Sequence, residues 1–489
     1  GFEREDFVEA GWTSIPVPSN WELHGHGEPI YQNIAYPFPA CPPAAPIENP
    51  TGSYRRWFDL PTNFAERRVF LEIGSADSAC QVWINGVEVG YSTDSKLPAA
   101  FEVTAHLRPG RNLVAVRVYR WPTSAYLEKQ DYWHLSGLQR SVRLVAKPAA
   151  HVRDWSTHTQ LAAGSATLRV RAWISQSSPQ SEAHPSGMTL WPQCRNYRLR
   201  FRLSDQFGRE RAVAEAQVAD QSAMYPNALP DAASDAFSAV TNLIIAEPAL
   251  WSPEAPHLHT LVIELLDRAG VVLDTERQRI GLREVAIRAG ILELNGRRLV
   301  MRGVNRHEFN PERGRAVTDA DMRADLVAMK QLNFNAVRTC HYPDRERWYE
   351  LCDELGMAVV DEANLETHGL QAQLSRDPAW APAYLERLTR MVLRDRNHAC
   401  VVTWSLGNES ADGPHHAAMA GWARYADPSR PVQYESGFPG PLISDIMAPM
   451  YPGLDWVRKQ MTERSEQRPM IMCEYAYACL LYTSDAADE

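Results

Sequence analysis

At 489 residues the chain is too long for one domain, and about two to four are expected. Its hydrophobic fraction of 45% and charged fraction of 22% match an ordinary soluble globular protein, and its net charge of −10 argues against nucleic-acid or anionic-membrane partners. No apolar run approaches the ~18 residues of a membrane span, so no membrane association is expected.

The first residues, "GFEREDFVEAGW", lack the basic-then-apolar pattern of a signal peptide. The 8 Cys are scattered without metal-type pairs, and Cys400 and Cys473 lie in apolar, strand-like runs. Buried free thiols of that kind favour a reducing compartment, so the expected location is the cytoplasm.

Residues 1–148 read as all-β. Short alternating runs such as "VFLEIGSADSACQVWINGVEVGYS" and "NLVAVRVYRW" are separated by turns at Asn85-Gly86 and Pro109-Gly110. A jelly-roll β-sandwich follows. Residues 149–284 alternate again, in "ATLRVRAWIS", "YRLRFRLSD" and "LHTLVIELLD", and seven or so strands suit an immunoglobulin-like sandwich. A Ser- and Pro-rich loop interrupts it around 176–194, and nothing in this region reads as catalytic.

From 285 to 478 strands alternate with helices. "LVMRGVNRHE" is followed by "DADMRADLVAMKQLN", which sets Met322, Leu326 and Met329 on one helical face. "FNAVRTCHYP" precedes "RERWYELCDELG", with Trp348, Leu351, Cys352 and Leu355 at helical spacing. "MAVVDEANLETHG" and "CVVTWSLGNES" are the third and fourth strands, and "PVQYES", "SDIMAPMY" and "RPMIMCEY" the fifth to seventh. Serial βα units with apolar strands predict a (β/α)8 TIM barrel of which about seven strands are present. No glycine-rich phosphate loop follows the first strand, which argues against a doubly wound open sheet.

In such a barrel the C-terminal strand ends share one mouth. They offer Asn305, Arg306, His307 and Glu308, then Arg338 and His341, then Asp361, Glu362, Asn364, Glu366 and His368. Asn408 and Glu409 close the fourth strand, Tyr451 the sixth and Glu474 the seventh. A single carboxylate there could be a structural ion-pair partner. A whole rim of them is costly through mutual repulsion and points to chemistry. Two glutamates on separate strands suit retaining glycoside hydrolysis, one protonating the leaving oxygen and one attacking the anomeric carbon.

The blocks "NGRRLVMRGVNRHEFNP", "FNAVRTCHYP", "VVDEANLETHG", "RDRNHACVVTWSLGNES", "DPSRPVQYE" and "IMCEYA" closely resemble family 2 of the glycoside hydrolases, and within it the large bacterial β-galactosidases. "YQNIAYPF", "ENPTGSY", "GYSTDSKLPAAFEV" and "YLEKQDYWHLSGL" extend the likeness into the first domain. The resemblance implies a β-galactoside substrate, with Glu409 as general acid/base and Glu474 as the nucleophile that forms a galactosyl-enzyme. It implies Mg²⁺ held by Glu366, His368 and Glu409, and sugar contacts from Asn33, Asp131, His307, His341, Asn408 and Tyr451. Asp131 would also be a ligand of a Na⁺ site whose remaining ligands are expected beyond the chain end. A full-length relative is expected to be a homo-oligomer.

Two departures qualify the likeness. Tyr477 stands where the family pattern has a histidine, so substrate affinity is open there. The tail 479–489, "CLLYTSDAADE", reads as unrelated to the family, and the expectation is an incomplete barrel in a truncated chain that could itself be inactive. β-Glucuronidase, β-mannosidase and an inactive carbohydrate-binding remnant remain as alternatives. "LEKQDYW" and "QNIAYPF" favour galactose.

Overall fold

The computed structural model describes residues 1–176, 196–220, 237–463 and 468–476. Most of the Ser- and Pro-rich loop, Tyr477 and the tail 479–489 lie outside the described residues.

The first region is an antiparallel sandwich. One sheet runs in the order Thr51–Leu60, Gly110–Tyr119, Ala79–Ile84, Val87–Ser92, and the other in the order Ala99–Glu102, Arg68–Ile73, Val142–Lys147. Strict alternation in Arg68–Ile73 turns Val69, Leu71 and Ile73 inward, where they meet Val82, Ile84, Val116 and Val118. Asn85 and Gly86 both take positive φ, 50° and 82°, and close the two-residue hairpin between Ile84 and Val87. A short ribbon pairs Ile30–Gln32 with Tyr132–His134 and carries the segment around Gln130 toward the barrel.

The second region is also a sandwich, of two four-stranded antiparallel sheets. Among the described residues eight strands stand where about seven were expected, the additional one being the two-residue Ala219–Asp220. Leu168, Val170 and Ile174 face Leu199, Phe201, Leu261 and Ile263 across its core.

The third region opens with a three-stranded antiparallel meander, Val285–Arg288, Ile291–Leu294 and Arg297–Arg298, then turns parallel. Gly303–Arg306, Ala336–Thr339, Ala358–Glu362, Val401–Ser405 and Val432–Gln433 pair in chain order, the arrangement of a barrel rather than of a doubly wound sheet. Parallel bridges from Gln433 to Ile446, Met447 to Met470 and Met450 to Glu474 add the sixth and seventh positions. The second to fourth strands are buried at every residue, as strands covered on both faces must be.

The helices Asp319–Gln331, Glu346–Leu355 and Ala381–Asp395 lie between the strands. Thr318 and Asp321 form a capping box that starts the first of them. Met322, Leu326, Trp348, Leu351 and Cys352 are buried as their spacing predicts. Among the described residues no helix is long and apolar enough to cross a membrane.

Candidate active site

Arg338, at the end of the second barrel strand, is the hub of the mouth. It is only 4% exposed and donates in three directions: Nε to Glu362 Oε2 at 2.7 Å, Nη1 to Glu474 Oε1 at 2.8 Å and Nη2 to Asn408 Oδ1 at 2.8 Å. Glu362 also faces His341 Nδ1 at 2.8 Å and accepts from Ser405 Oγ at 2.6 Å. The Tyr451 hydroxyl donates to the second oxygen of Glu474.

Burial alone would push the Glu474 carboxyl up. The Arg338 guanidinium, His341 and the Tyr451 hydroxyl outweigh it, and the net shift is downward. Glu474 is therefore held as a carboxylate, the form a nucleophile needs. Glu362 is governed by the same balance, with burial opposed by Arg338 and His341, and is also lowered. His307 is driven well below the ordinary imidazole range by burial, reinforced by His341 and Arg315, so it enters the site neutral.

The fourth strand ends in a turn of unusual backbone. Gly407 has φ 126°, and a Cβ there would meet the Leu365 carbonyl at 2.5 Å, so the position requires glycine. Glu409 follows at φ 31° and Ala411 at φ 48°, both non-glycine residues in the left-handed region. Such conformations persist only where surrounding contacts impose them. Three consecutive side chains after the fifth strand do so. Glu435 Oε1 accepts from Glu409 N at 2.8 Å, the Tyr434 hydroxyl accepts from Ser410 N at 3.2 Å, and Ser436 Oγ accepts from Ala411 N at 3.1 Å. Tyr434 also donates to the Ala411 carbonyl at 3.0 Å.

Burial pushes the Glu435 carboxyl up to about 8, against the pull of Arg338 and the Glu409 amide. A protonated carboxyl and a carboxamide present the same acceptor at this pH. Glu435→Gln is therefore expected to keep most activity at neutral pH, whereas Glu435→Ala lowers kcat about tenfold or more with little change in KM. Steady-state kinetics on the pair checks this, and equal loss in both variants would remove the hydrogen-bonding argument.

Glu366, His368 and Glu409 offer ligand atoms that all lie within 4.8 Å of one another. His368 Nδ1 is 3.1 Å from Glu409 Oε2, and Asn408 Nδ2 donates to Glu366 Oε2 at 2.9 Å. Glu366 Oε1 and His368 Nδ1 are buried without a hydrogen-bond partner among the described residues. Burial, and then repulsion from Glu409, push the Glu366 carboxyl well up. Two carboxylates and an imidazole with unsatisfied buried atoms fit a divalent cation.

The first region supplies one wall. The Glu366 amide donates to the Leu127 carbonyl at 2.7 Å and the Lys129 amide to the Glu366 carbonyl at 3.0 Å, stitching 127–129 across the mouth. Gln130 Nε2 donates to the His341 carbonyl and to Asn364 Oδ1, and Arg387 pairs with Glu128 at 2.8 Å, both buried. Burial brings Lys129 down to about 8, against Glu366, Asp131 and Glu409. Its ammonium donates to the carbonyls of Gln32 and Asn33.

A cavity of about 1260 Å³ opens on this face, with Asp131, Trp133, His307, His341, Tyr451 and Glu474 in its wall. Asn33, Asn408 and Glu409 are not part of that wall. Asp131 joins no cluster of His, Cys and carboxylate ligands among the described residues.

Several rim residues read from the sequence are supports. Arg306 pairs with Asp344 and Asp325, Glu308 with Arg140, and Asp361 accepts from the Tyr349 hydroxyl. Asn364 Nδ2 donates to Asp94 of the first region. Sequence reasoning missed Arg338 as the partner of Glu474, and it missed Lys129 and the 434–436 clamp. Arg338 alone carried a signal, as an arginine within a short, wholly buried strand.

Family comparisons agree with this architecture. The models described as glycosyl hydrolases family 2 match throughout: the sugar binding domain at 5–148, the central domain at 150–283 and the TIM barrel domain at 285–483. The chain belongs to family 2 of the glycoside hydrolases. It is 43% identical over 492 residues to a β-galactosidase of Psychromonas ingrahamii and 44% identical over 489 residues to one of Vibrio cholerae, covering 97% of this chain in each case. The match spans 46% of either relative, so the chain corresponds to about half their length. Among solved structures, Bacteroides uniformis β-glucuronidase superposes with a TM-score of 0.78 at 21% identity, covering 97% of this chain and 57% of that one. A β-glycosidase from Bacteroides vulgatus gives 0.74 at 22%, covering 96% and 56%. At such identities the likeness is one of fold.

Proposed function

We propose that the chain carries the active site of a retaining β-galactosidase, which releases terminal β-D-galactose by double displacement. One observation carries the reading: Glu474 is buried, held ionised by Arg338 and Tyr451, and opens on a cavity wall that includes His307 and His341. Glu474 attacks the anomeric carbon and forms the galactosyl-enzyme, while Glu409 protonates the departing oxygen. Glu409 then takes a proton from the water that releases galactose. Asn408, oriented by Arg338 and Glu366, would hydrogen-bond the sugar near the reacting centre. Galactose is preferred over glucuronate because the relatives above 40% identity bear the β-galactosidase name, whereas the glucuronidase likeness is one of fold.

Glu366, His368 and Glu409 would hold Mg²⁺, whose positive charge would favour an ionised acid/base. Exhaustive chelation of the full-length protein is expected to lower turnover and added Mg²⁺ to restore it. Glu366→Gln should abolish the calorimetric signal of Mg²⁺ binding. Unchanged turnover after chelation would remove the metal from the reading.

The function is tested by comparing nitrophenyl galactoside with the glucuronide and the mannoside, and by trapping with a 2-deoxy-2-fluorogalactosyl inhibitor. Preferred turnover of the galactoside and a labelled peptide containing Glu474 are expected. Labelling of Glu409 would reverse the two roles, and preference for the glucuronide would move the substrate assignment.

A further inference from the structure

Cys340 lies between the second strand and His341, and nothing in the glycosidase chemistry uses a thiol. It is 2% exposed to bulk solvent, yet it stands in the wall of the active-site cavity with His307 and His341. Its Sγ and one ring nitrogen of each histidine lie within 4.8 Å of one another. Nδ1 of His341 is bonded to the Glu362 carboxylate at 2.8 Å, and Nδ1 of His307 to the Tyr342 hydroxyl at 3.1 Å. Each histidine is thus engaged through Nδ1, and Nε2 would serve as its ligand atom. A carboxylate behind the far nitrogen is the usual backing of a metal-binding imidazole, because it fixes the ring and raises its basicity.

We propose that Cys340, His307 and His341 form a binding site for a thiophilic divalent cation such as Zn²⁺, Cd²⁺ or Co²⁺, separate from the oxygen-rich cluster at Glu366, His368 and Glu409. One thiolate and two imidazoles form a donor set that selects borderline-soft cations over Mg²⁺. Binding replaces the thiol proton, which leaves to solvent, with an S–metal bond. Glu474 Oε1 is 3.8 Å from His341 Nε2, so the bound cation would sit against the nucleophile. Its charge would hold Glu474 in a paired, unreactive state, and its bulk would occupy space open to the sugar. The consequence is inhibition competitive with substrate.

The test titrates the full-length protein with Co²⁺ in excess Mg²⁺, so that the oxygen-rich cluster is already filled. A thiolate-to-cobalt charge-transfer band saturating at one equivalent is expected, and Cys340→Ser should abolish it. His307→Gln, just beyond the first strand, should keep the band but weaken Co²⁺ binding about tenfold or more. The second variant covers the case in which Cys340→Ser does not fold. No band in the unaltered protein, a band that survives Cys340→Ser, or unchanged affinity in His307→Gln would each overturn the proposal. In a separate arm, Cd²⁺ should raise the apparent KM of the unaltered protein and do so about tenfold less effectively in Cys340→Ser. That arm rests on the galactosidase reading and the spectroscopic arm does not, so the two can fail independently.

Discussion

Glu474→Gln in the full-length protein is expected to lower kcat for nitrophenyl galactoside on the order of 10⁴-fold. The amide keeps the volume and its single carbonyl oxygen can still accept from Arg338, but it turns an NH2 toward Tyr451 and carries no charge to attack carbon or to face a developing oxocarbenium ion. Folding should survive, and a thermal melt close to that of the unaltered protein would separate lost chemistry from lost structure. Glu409→Ala makes the complementary case. Its first step should be slow for poor leaving groups and nearly normal for activated ones, because only poor ones need protonation. Azide should then restore turnover by entering the space of the missing carboxylate, giving a β-galactosyl azide. An α-azide would mean that Glu409 is the nucleophile, and the roles of the two residues would exchange.

The barrel was legible because each strand is a short β-branched run ended by polar residues, with helical spacing between. Val401–Ser405 followed by Gly407-Asn408-Glu409 is the clearest instance, a wholly buried strand that delivers an amide and a carboxylate to the mouth. The glutamates were readable as strand ends, and their particular roles came through the family likeness.

Other features could not be read, because they depend on which distant side chains meet. Glu308, Asp361 and Glu409 are all strand-end carboxylates in sequence. Only their partners Arg140, Tyr349 and His368 separate a support from a ligand. The clamp at 434–436 was invisible for a similar reason. It acts on backbone amides of another loop, and backbone donors leave no periodic trace. Lys129 carried no signal in the sequence, and only its burial and its hydrogen bonds to the Gln32 and Asn33 carbonyls give it a role.

Arg338→Met should be the most damaging substitution that touches neither catalytic carboxylate. It removes the partner of two buried carboxylates, Glu362 and Glu474, and one hydrogen bond to Asn408. Methionine fills much of the space, so the loss is electrostatic, and breaking a buried pair in this way costs about 3–5 kcal/mol. The pH dependence gives the distinguishing sign. Glu474 has a carboxyl lowered below its unfolded value, so its contribution to stability is present above the ordinary carboxylate pKa and fades as pH falls through the lowered one. Without Arg338, burial dominates and the carboxyl rises. The acid limb of kcat/KM should then move to higher pH by roughly one unit or more. The variant should also lose its remaining stability at neutral rather than at acid pH, since burying the carboxylates charged is what now costs. Arg338→Lys should recover part of both effects, because an ammonium supplies the charge without the three-way fork. Unfolding curves and pH–rate profiles on the two variants decide the matter. An acid limb that stays in place in Arg338→Met would mean that Arg338 only props the fold and that His341 and Tyr451 suffice to keep the nucleophile ionised.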